Sequence, residues 1–186
     1  MKNDVKITCS SCNSQNPVTT YKCSSCDGSL AKERLSHLDR LFREIETEKA
    51  SGYNAFKRYM WFESAEEDGD YSVMAHTLAN LQLQDVCASV SRKAISIDFF
   101  KDYIEELEII ADRAAGLLTA SITDPAITLN VAAMIKAMTQ FKEMVSMAGD
   151  YEKELDGGVL EYSLSMAMEA DEAIHTQCLA IEKKRQ

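Results

Sequence analysis

The fold at the front of this chain is decided by the stretch Ile7-Thr-Cys-Ser-Ser-Cys-Asn-Ser-Gln-Asn-Pro-Val-Thr-Thr-Tyr-Lys-Cys-Ser-Ser-Cys-Asp-Gly-Ser29. It contains two Cys-Ser-Ser-Cys pairs separated by ten residues. Each Cys-x-x-Cys turn directs two thiolates to one point, and two such turns supply the four tetrahedral ligands that Zn²⁺ prefers. The spacing therefore predicts one structural Zn²⁺ ion bound by Cys9, Cys12, Cys23 and Cys26. Because cysteines fill all four positions, no site is left for a water molecule, and the ion is not expected to be catalytic.

The residues around the cysteines favour a small β-hairpin. The β-prone stretches 5–8 and 18–22 lead into the two turns, and Asn16-Pro17 between them indicates a turn. With these features, residues 5–28 resemble the zinc-ribbon class of metal-binding modules. The resemblance implies a hairpin folded around its metal and implies no particular activity. Many ribbons have glycine directly after the second cysteine of each turn, whereas this chain has Asn13 and Asp27-Gly28 at those places.

Two other kinds of site use similar cysteines. Iron in a rubredoxin-like site has the same four ligands, and a redox-active Cys-x-x-Cys usually lies at a helix N-terminus in a βαβ unit. No βαβ pattern surrounds Cys9 or Cys23, and nothing else in the sequence indicates electron transfer. Structural zinc is the favoured interpretation, although the ligands alone do not separate zinc from iron.

The remainder of the chain, residues 29–186, has the composition and periodicity of helices. It follows a ribbon domain of residues 1–28 directly, without a linker. Hydrophobic residues make up 46% of the protein, which contains only seven glycines and two prolines. Apolar side chains recur at three- and four-residue steps, as in Leu35, Leu38, Phe42 and Ile45. These features predict an all-α bundle of four or five helices behind the ribbon.

Capping residues and glycines predict where the helices begin and end. The first predicted helix starts at Ser29 and can extend to about Ala65, with Ser51-Gly52 as a weak point. The others are a second over about 71–93, a third from Asp98, a fourth from Asp124-Pro125 to Asp156-Gly157-Gly158, and a fifth over about 159–183. The short connections between the last three predict antiparallel neighbours.

The formal net charge of −10 is unevenly distributed along the chain. Residues 1–35 carry a net charge of +2, and the remaining residues carry −12. A body this acidic repels the phosphate backbone of nucleic acids. Nucleic acid is therefore expected, if at all, only at the front end of the chain, through Lys2, Lys6, Lys22 and Lys32.

The start of the chain and its use of cysteine indicate a cytoplasmic protein without a membrane span. Residues 1–6 lack the apolar stretch of a signal peptide, and no window approaches the ~20 apolar residues that span a bilayer. The two cysteines outside the pairs, Cys87 and Cys178, fall singly in helical patterns and are expected to be buried. This distribution is typical of a reducing compartment.

The sequence contains no motif that predicts an enzyme. It has no glycine-rich phosphate loop, no Gly-x-Ser-x-Gly and no His-Glu-x-x-His. Glu172-Ala-Ile-His175 has the spacing of half a di-metal site, but no second motif of that kind accompanies it. The predicted function is therefore that of a non-catalytic adaptor, assembly factor or regulator.

A run of aromatic residues is the candidate surface for a protein partner or a second copy of the chain. Aromatic side chains interleaved with basic ones are common at protein interfaces. The run comprises Tyr53, Phe56, Tyr59, Trp61 and Phe62. Packing against other helices is the competing interpretation. A regulator associated with nucleic acid or the transcription machinery, acting through the ribbon, is the alternative function.

Overall fold

A computed structural model describes residues 5–18, 20–49, 52–60, 80–122, 124–151 and 157–185. The predicted architecture is confirmed: an N-terminal two-stranded hairpin carries the cysteines and precedes a helical body. Within the described ranges, the strands are β1 (Lys6–Thr8) and β2 (Gln15–Pro17). The helices are α1 (Ala31–Thr47), α2 (Gly52–Met60), α3 (Asn80–Ser91), α4 (Ile97–Thr119), α5 (Thr128–Gly149) and α6 (Gly157–Arg185).

The hairpin differs from the prediction in the position of its second strand. β1 and β2 are antiparallel, with Ile7 opposite Asn16. The turn signal at Asn16-Pro17 was therefore wrong, because these residues lie within β2. The first pair of cysteines makes the turn between the strands instead. Pro17 is tolerated because each strand of a two-stranded sheet has a free edge. A missing N–H on that edge removes no hydrogen bond between the strands.

The first predicted helix is divided into two, which raises the number of described helices to six. Gly52, the first residue of α2, has a φ of 78°, and Lys49, two residues after α1, has a φ of 52°. Both values lie in the left-handed region, which a right-handed helix cannot contain. The backbone N–H of Tyr53 donates to the hydroxyl of Ser121, which fixes the start of α2 against the end of α4. The continuous helix through Ser51-Gly52 is therefore wrong.

Replacing Gly52 by alanine is expected to lower the free energy of unfolding by about 1–3 kcal/mol. The new Cβ would strain the left-handed backbone and overlap the Ser121 hydroxyl. Gly116 is a matched control, because it lies on the exposed side of α4 and a Cβ there meets nothing within 4 Å. Gly116→Ala should stabilise the protein by about 0.5–1 kcal/mol through helix propensity. Urea unfolding monitored by circular dichroism measures both, and a neutral Gly52→Ala would contradict the assigned strain.

The last three helices form an antiparallel layer that contains most of the core. The N-terminal end of α5 meets the C-terminal end of α6, where the side-chain amide of Asn130 donates to that of Gln177 at 2.8 Å. The opposite end of α5 meets the start of α4, where Gly149 packs against Ile104. The antiparallel arrangement predicted from short connections is thus observed. No helix in the described part of the chain is both long and apolar enough to cross a membrane.

Several predicted helix ends are shifted by local hydrogen bonds. Ser96 caps α4 by accepting from the N–H of Phe99 at 3.1 Å, whereas the predicted cap, Asp98, lies in the first turn. Asp124 accepts from the N–H of Ala126 at 3.0 Å and forms a turn, so that α5 begins only at Thr128. The Gly157-Gly158 pair begins α6 rather than ending the preceding helix.

The predicted aromatic surface lies largely in the core. Tyr53, Phe56 and Tyr59 are 2%, 1% and 1% exposed, so a partner cannot contact them in this fold. They lie on the face of α2 that packs on α4 and on the C-terminal part of α6, where the Tyr53 hydroxyl donates to the carbonyl of Cys178 at 3.3 Å. Packing against other helices is therefore the correct interpretation of these three residues. Trp61 and Phe62 lie outside the described residues.

Candidate metal centre

The four predicted cysteines converge on one point at the end of the hairpin. Their sulfur atoms all lie within 4.8 Å of one another. The Sγ atoms of Cys9 and Cys26 are 3.7 Å apart, and those of Cys12 and Cys23 are 3.6 Å apart. A tetrahedral ion with Zn–S bonds of about 2.3 Å places its sulfur ligands about 3.8 Å apart. The cluster is therefore positioned to hold a metal ion and is compatible with zinc.

Both cysteine turns have the same backbone hydrogen bonds, repeated fourteen residues later in the chain. In each turn, the N–H of the first cysteine donates to the carbonyl five residues later. The carbonyl of the same cysteine accepts from the N–H four residues later. The four bonds are Cys9 N to Ser14 O (2.9 Å), Asn13 N to Cys9 O (2.9 Å), Cys23 N to Gly28 O (2.9 Å) and Asp27 N to Cys23 O (3.0 Å). This repetition explains how two identical Cys-Ser-Ser-Cys pairs present their sulfurs in equivalent geometry.

The residue after each cysteine pair has a left-handed backbone. Asn13 has a φ of 60° and Asp27 has a φ of 61°. Glycine adopts this conformation most easily, and asparagine and aspartate are the residues that adopt it next most readily. The absence of glycine from these two positions is therefore compatible with the ribbon geometry.

Hydrogen-bond donors around the sulfurs of Cys12 and Cys23 favour the ionised form of these two thiols. The Ser14 hydroxyl lies 3.0 Å from the Sγ of both Cys12 and Cys23, and the N–H of Ser25 donates to Cys23 Sγ at 3.4 Å. Mainly because of the Ser14 hydroxyl, the pKa of Cys12 is below its usual value and the pKa of Cys23 is lowered to about 5. Because the thiolate is the form that binds metal, these contacts suit Cys12 and Cys23 to a divalent cation.

Asn16 is a supporting residue that the sequence did not reveal. Its side chain is 1% exposed and joins the hairpin to the second cysteine turn. The amide oxygen accepts from the N–H of Ser24 at 2.9 Å, while the amide nitrogen donates to the carbonyl of Ser14 at 3.1 Å. The pattern Asn-Pro masked this role, because it is also a common turn signal.

The ribbon is continuous with the first helix. Leu30, at the N-cap of α1, is fully buried in a small core with Ile7 and Val18 of the ribbon. The backbone N–H of Ser10 donates to the carboxylate of Glu33 in the first turn of α1, at 2.8 Å. These contacts fix the cysteine cluster relative to α1. The division of the chain at residue 28 remains a prediction.

Tyr21 attaches the ribbon to the helical body. Its hydroxyl donates to the carboxylate of Asp85 in α3 at 2.5 Å. Its ring makes edge-on contacts with Phe99 and Tyr103 of α4, with centroids 6.0 and 6.2 Å away. The ribbon therefore packs on two helices of the body in addition to its covalent connection to α1.

A buried ion pair lies next to this junction. Arg34, in the first turn of α1, places its Nε 2.9 Å from a carboxylate oxygen of Glu106 in α4, and both side chains are 1% exposed. The guanidinium carbon lies 6.0 Å from the centre of the Tyr103 ring. No local pattern in the sequence indicates that Glu106 pairs with Arg34, so this link between α1 and α4 was not predicted.

The remaining candidate residues are not among the four sulfur ligands or lie outside the described ranges. Lys6 and Lys32 are exposed, whereas Lys22 pairs with Asp27 at 3.0 Å. Lys2 lies outside the described residues. Cys87 and Cys178 are buried, as predicted. Burial raises the pKa of each of these two thiols to about 12, which makes them poor nucleophiles.

No protein-family model matches the chain, and no curated protein or solved structure matches it either. The cysteine cluster and its attachment to the helical body are therefore the observations from which a function is argued.

Proposed function

We propose that this protein is a non-catalytic interaction protein whose N-terminal ribbon holds one structural zinc ion and presents its tip to a protein partner. The observation that carries the proposal is the four-sulfur cluster in a ribbon that is fixed to the helical body. Four protein ligands complete the coordination of zinc, so the metal supplies rigidity and no open Lewis-acid position. An adaptor, assembly factor or regulator in the cytoplasm fits these properties.

The metal is expected to be zinc in a ratio of one ion per chain. Purified protein should be colourless. Elemental analysis should detect one equivalent of zinc per chain and no comparable amount of another transition metal. Iron bound by four thiolates would instead give a visible charge-transfer absorbance. Native mass spectrometry of protein expressed with both metals present measures the preference directly. Iron in the purified protein would overturn the assignment of zinc.

The proposed contact surface is the outer side of the two cysteine turns. Ser11 and Ser25 lie between the cysteines and are exposed, whereas the backbone of Ser10 is occupied by Glu33 of α1. The hydroxyls of these two serines are polar and uncharged, which suits hydrogen bonding to a protein. Lys22 is partly neutralised by Asp27, and this reduces the basic charge available for nucleic acid.

A pull-down from native cytosol tests this surface. The double variant with Ser11→Arg and Ser25→Arg is expected not to recover a set of proteins that the unmodified chain still pulls down after nuclease treatment. Thr176→Arg, an equally drastic change at an exposed position of α6, should retain them. If the unmodified chain recovers no protein after nuclease treatment, the nucleic-acid alternative replaces this proposal. Retention of every partner by the ribbon variant would exclude the tip.

A further inference from the structure

Two pairs of sulfur atoms in the candidate metal centre are in contact, and each pair joins one cysteine turn to the other. Cys9 Sγ lies 3.7 Å from Cys26 Sγ, and Cys12 Sγ lies 3.6 Å from Cys23 Sγ. The Ser14 hydroxyl lies 3.0 Å from both sulfurs of the second pair. A disulfide bond of about 2.05 Å requires the sulfurs of each pair to approach by about 1.6 Å more. The atoms that would form bonds across the turns are therefore already neighbours.

Each of these pairs contains one exposed and one buried cysteine. Cys12 and Cys26 are exposed, whereas Cys9 is 1% exposed and Cys23 is fully buried. A dissolved oxidant can therefore reach one sulfur of each pair, and the buried sulfur lies beside the one that reacts. Redox-sensitive cysteines often have this arrangement, in which an accessible thiolate has a second cysteine next to it that resolves its oxidised form.

We propose that the cluster is a site of oxidation by hydroperoxides, which joins the two turns through Cys12–Cys23 and Cys9–Cys26 disulfides and ends metal binding. This inference concerns the regulation of the metal site in the proposed function and rests on that function. The two disulfides connect the same turns that the metal connects. The ribbon therefore stays closed after oxidation, although it no longer has thiolates to offer a cation.

Each disulfide forms in two steps that together consume one molecule of hydrogen peroxide. The thiolate of Cys12 attacks a peroxide oxygen, so that a sulfur–oxygen bond forms, the oxygen–oxygen bond breaks and hydroxide leaves. The thiolate of Cys23 then attacks the sulfur of this sulfenic acid, so that the sulfur–sulfur bond forms, the sulfur–oxygen bond breaks and a second hydroxide leaves. The two sulfurs lose two electrons, which reduce the peroxide. Cys26 and Cys9 react in the same way with a second peroxide molecule.

The other two ways of joining four cysteines fit the geometry less well. Pairing Cys9 with Cys23 joins the two buried sulfurs, neither of which a dissolved oxidant reaches first. Pairing within the turns, Cys9 with Cys12 and Cys23 with Cys26, separates the sulfurs that are in contact. It also leaves the two turns without a covalent connection, so the ribbon would open when the metal is lost.

Tryptic peptides distinguish these pairings, because Lys22 lies between the two turns. Cleavage after lysine gives a peptide 7–22 with the first two cysteines and a peptide 23–32 with the other two. The metal-loaded full chain is treated with excess hydrogen peroxide, its free thiols are blocked, and it is digested without reduction. We expect the two peptides to be recovered as one disulfide-linked species, in which partial reduction and alkylation assign the two pairs. A chromogenic zinc indicator should measure the release of one metal ion per chain in step with the linkage.

Hydrogen exchange provides a second readout of the same reaction. Residues 5–30 should stay protected in the oxidised chain and lose protection in a chain whose metal has been removed by a chelator. Cys87 and Cys178 are internal controls, because they are buried outside the cluster and should remain free thiols.

The outcomes separate the pairing of the sulfurs from the presence of the metal. Two separate peptides that each contain an internal disulfide would overturn the proposal, and so would a cluster that keeps its metal and its thiols in excess peroxide. A chain purified without any metal would instead contradict the proposed zinc site, and the pairing of the sulfurs would still be measured from the same peptides.

Discussion

Replacing Cys23 by serine is expected to release the metal and to unfold the ribbon while the helical body stays folded. A module of about 25 residues has too little core to fold without its metal. In this chain that core consists of a few apolar side chains beside the sulfurs, including Ile7, Val18 and Leu30. Metal binding contributes on the order of 10 kcal/mol to such sites, which is more than the remaining contacts can replace.

Hydrogen exchange followed by mass spectrometry locates the effect of this change. Protection should be lost over residues 5–30 and reduced in the first turn of α1, because Leu30 and Glu33 contact the ribbon there. Protection should persist in α4, α5 and α6, whose buried residues belong to a hydrophobic core separate from that of the ribbon. Removal of the metal from the unmodified protein by a chelator should give the same pattern.

Cys87→Ser provides the matched control, because it removes a buried thiol that lies outside the cluster. This variant should lose some stability and keep one metal ion per chain. A ribbon that stays protected in the Cys23→Ser variant would show that the metal is not required for its fold. Loss of protection throughout α4–α6 would show that the body depends on the ribbon.

The cysteine cluster could be predicted from sequence because its determinants are local. Each Cys-Ser-Ser-Cys turn is closed by hydrogen bonds within six residues, so the spacing alone specifies the positions of two sulfurs. The second strand was misplaced because the sequence around Asn16 is compatible with two roles for this residue. A turn and a buried bridge both favour a short polar side chain, and only the contact with Ser24 reveals which one applies.

The helical body was predictable in its composition and less so in its boundaries. Periodicity identified the buried faces of α4 and α5 because one stripe of apolar residues faces one core. Ser51-Gly52 was a recognisable weak point of the first helix, but the contact of Ser121 with the start of α2, 69 residues away in the chain, has no local signal. The aromatic residues of α2 were taken for a candidate surface, whereas α2 is covered by both α4 and the end of α6. A helix covered on two sides has more buried aromatic residues than a single stripe requires.

Replacing either Arg34 or Glu106 by an apolar residue is expected to lower the free energy of unfolding by about 3–5 kcal/mol. Both side chains are 1% exposed, and their charged groups are 2.9 Å apart. Arg34→Met leaves the Glu106 carboxylate buried without a counter-charge, and Glu106→Leu leaves the guanidinium in the same state. In a chain of this length, such a loss lowers the melting temperature by about 10 °C.

The double variant is expected to be far more stable than either single one. Met at position 34 and Leu at position 106 would pack together beside the ring of Tyr103, and no charge would remain buried. The coupling free energy between the two substitutions should therefore be nearly as large as the loss of stability caused by one of them alone. Additive losses in the double variant would contradict the assigned pair. Thermal unfolding of the four proteins at one pH measures the complete cycle.

The pH dependence of the Arg34→Met variant gives an independent measurement of the pair. Burial raises the pKa of Glu106, and the Arg34 guanidinium acts in the opposite direction. Without Arg34 only the effect of burial remains, so the folded protein keeps a proton that the unfolded chain releases near its usual pKa of about 4.3. Stability is then highest below that pH and falls as the pH rises towards the folded pKa. Arg34→Met should therefore lose more stability between pH 5 and pH 8 than the unmodified protein, and the double variant, which lacks the carboxylate, should lose the least. Equal pH dependence in all three would show that Glu106 is not a buried carboxylate held by Arg34.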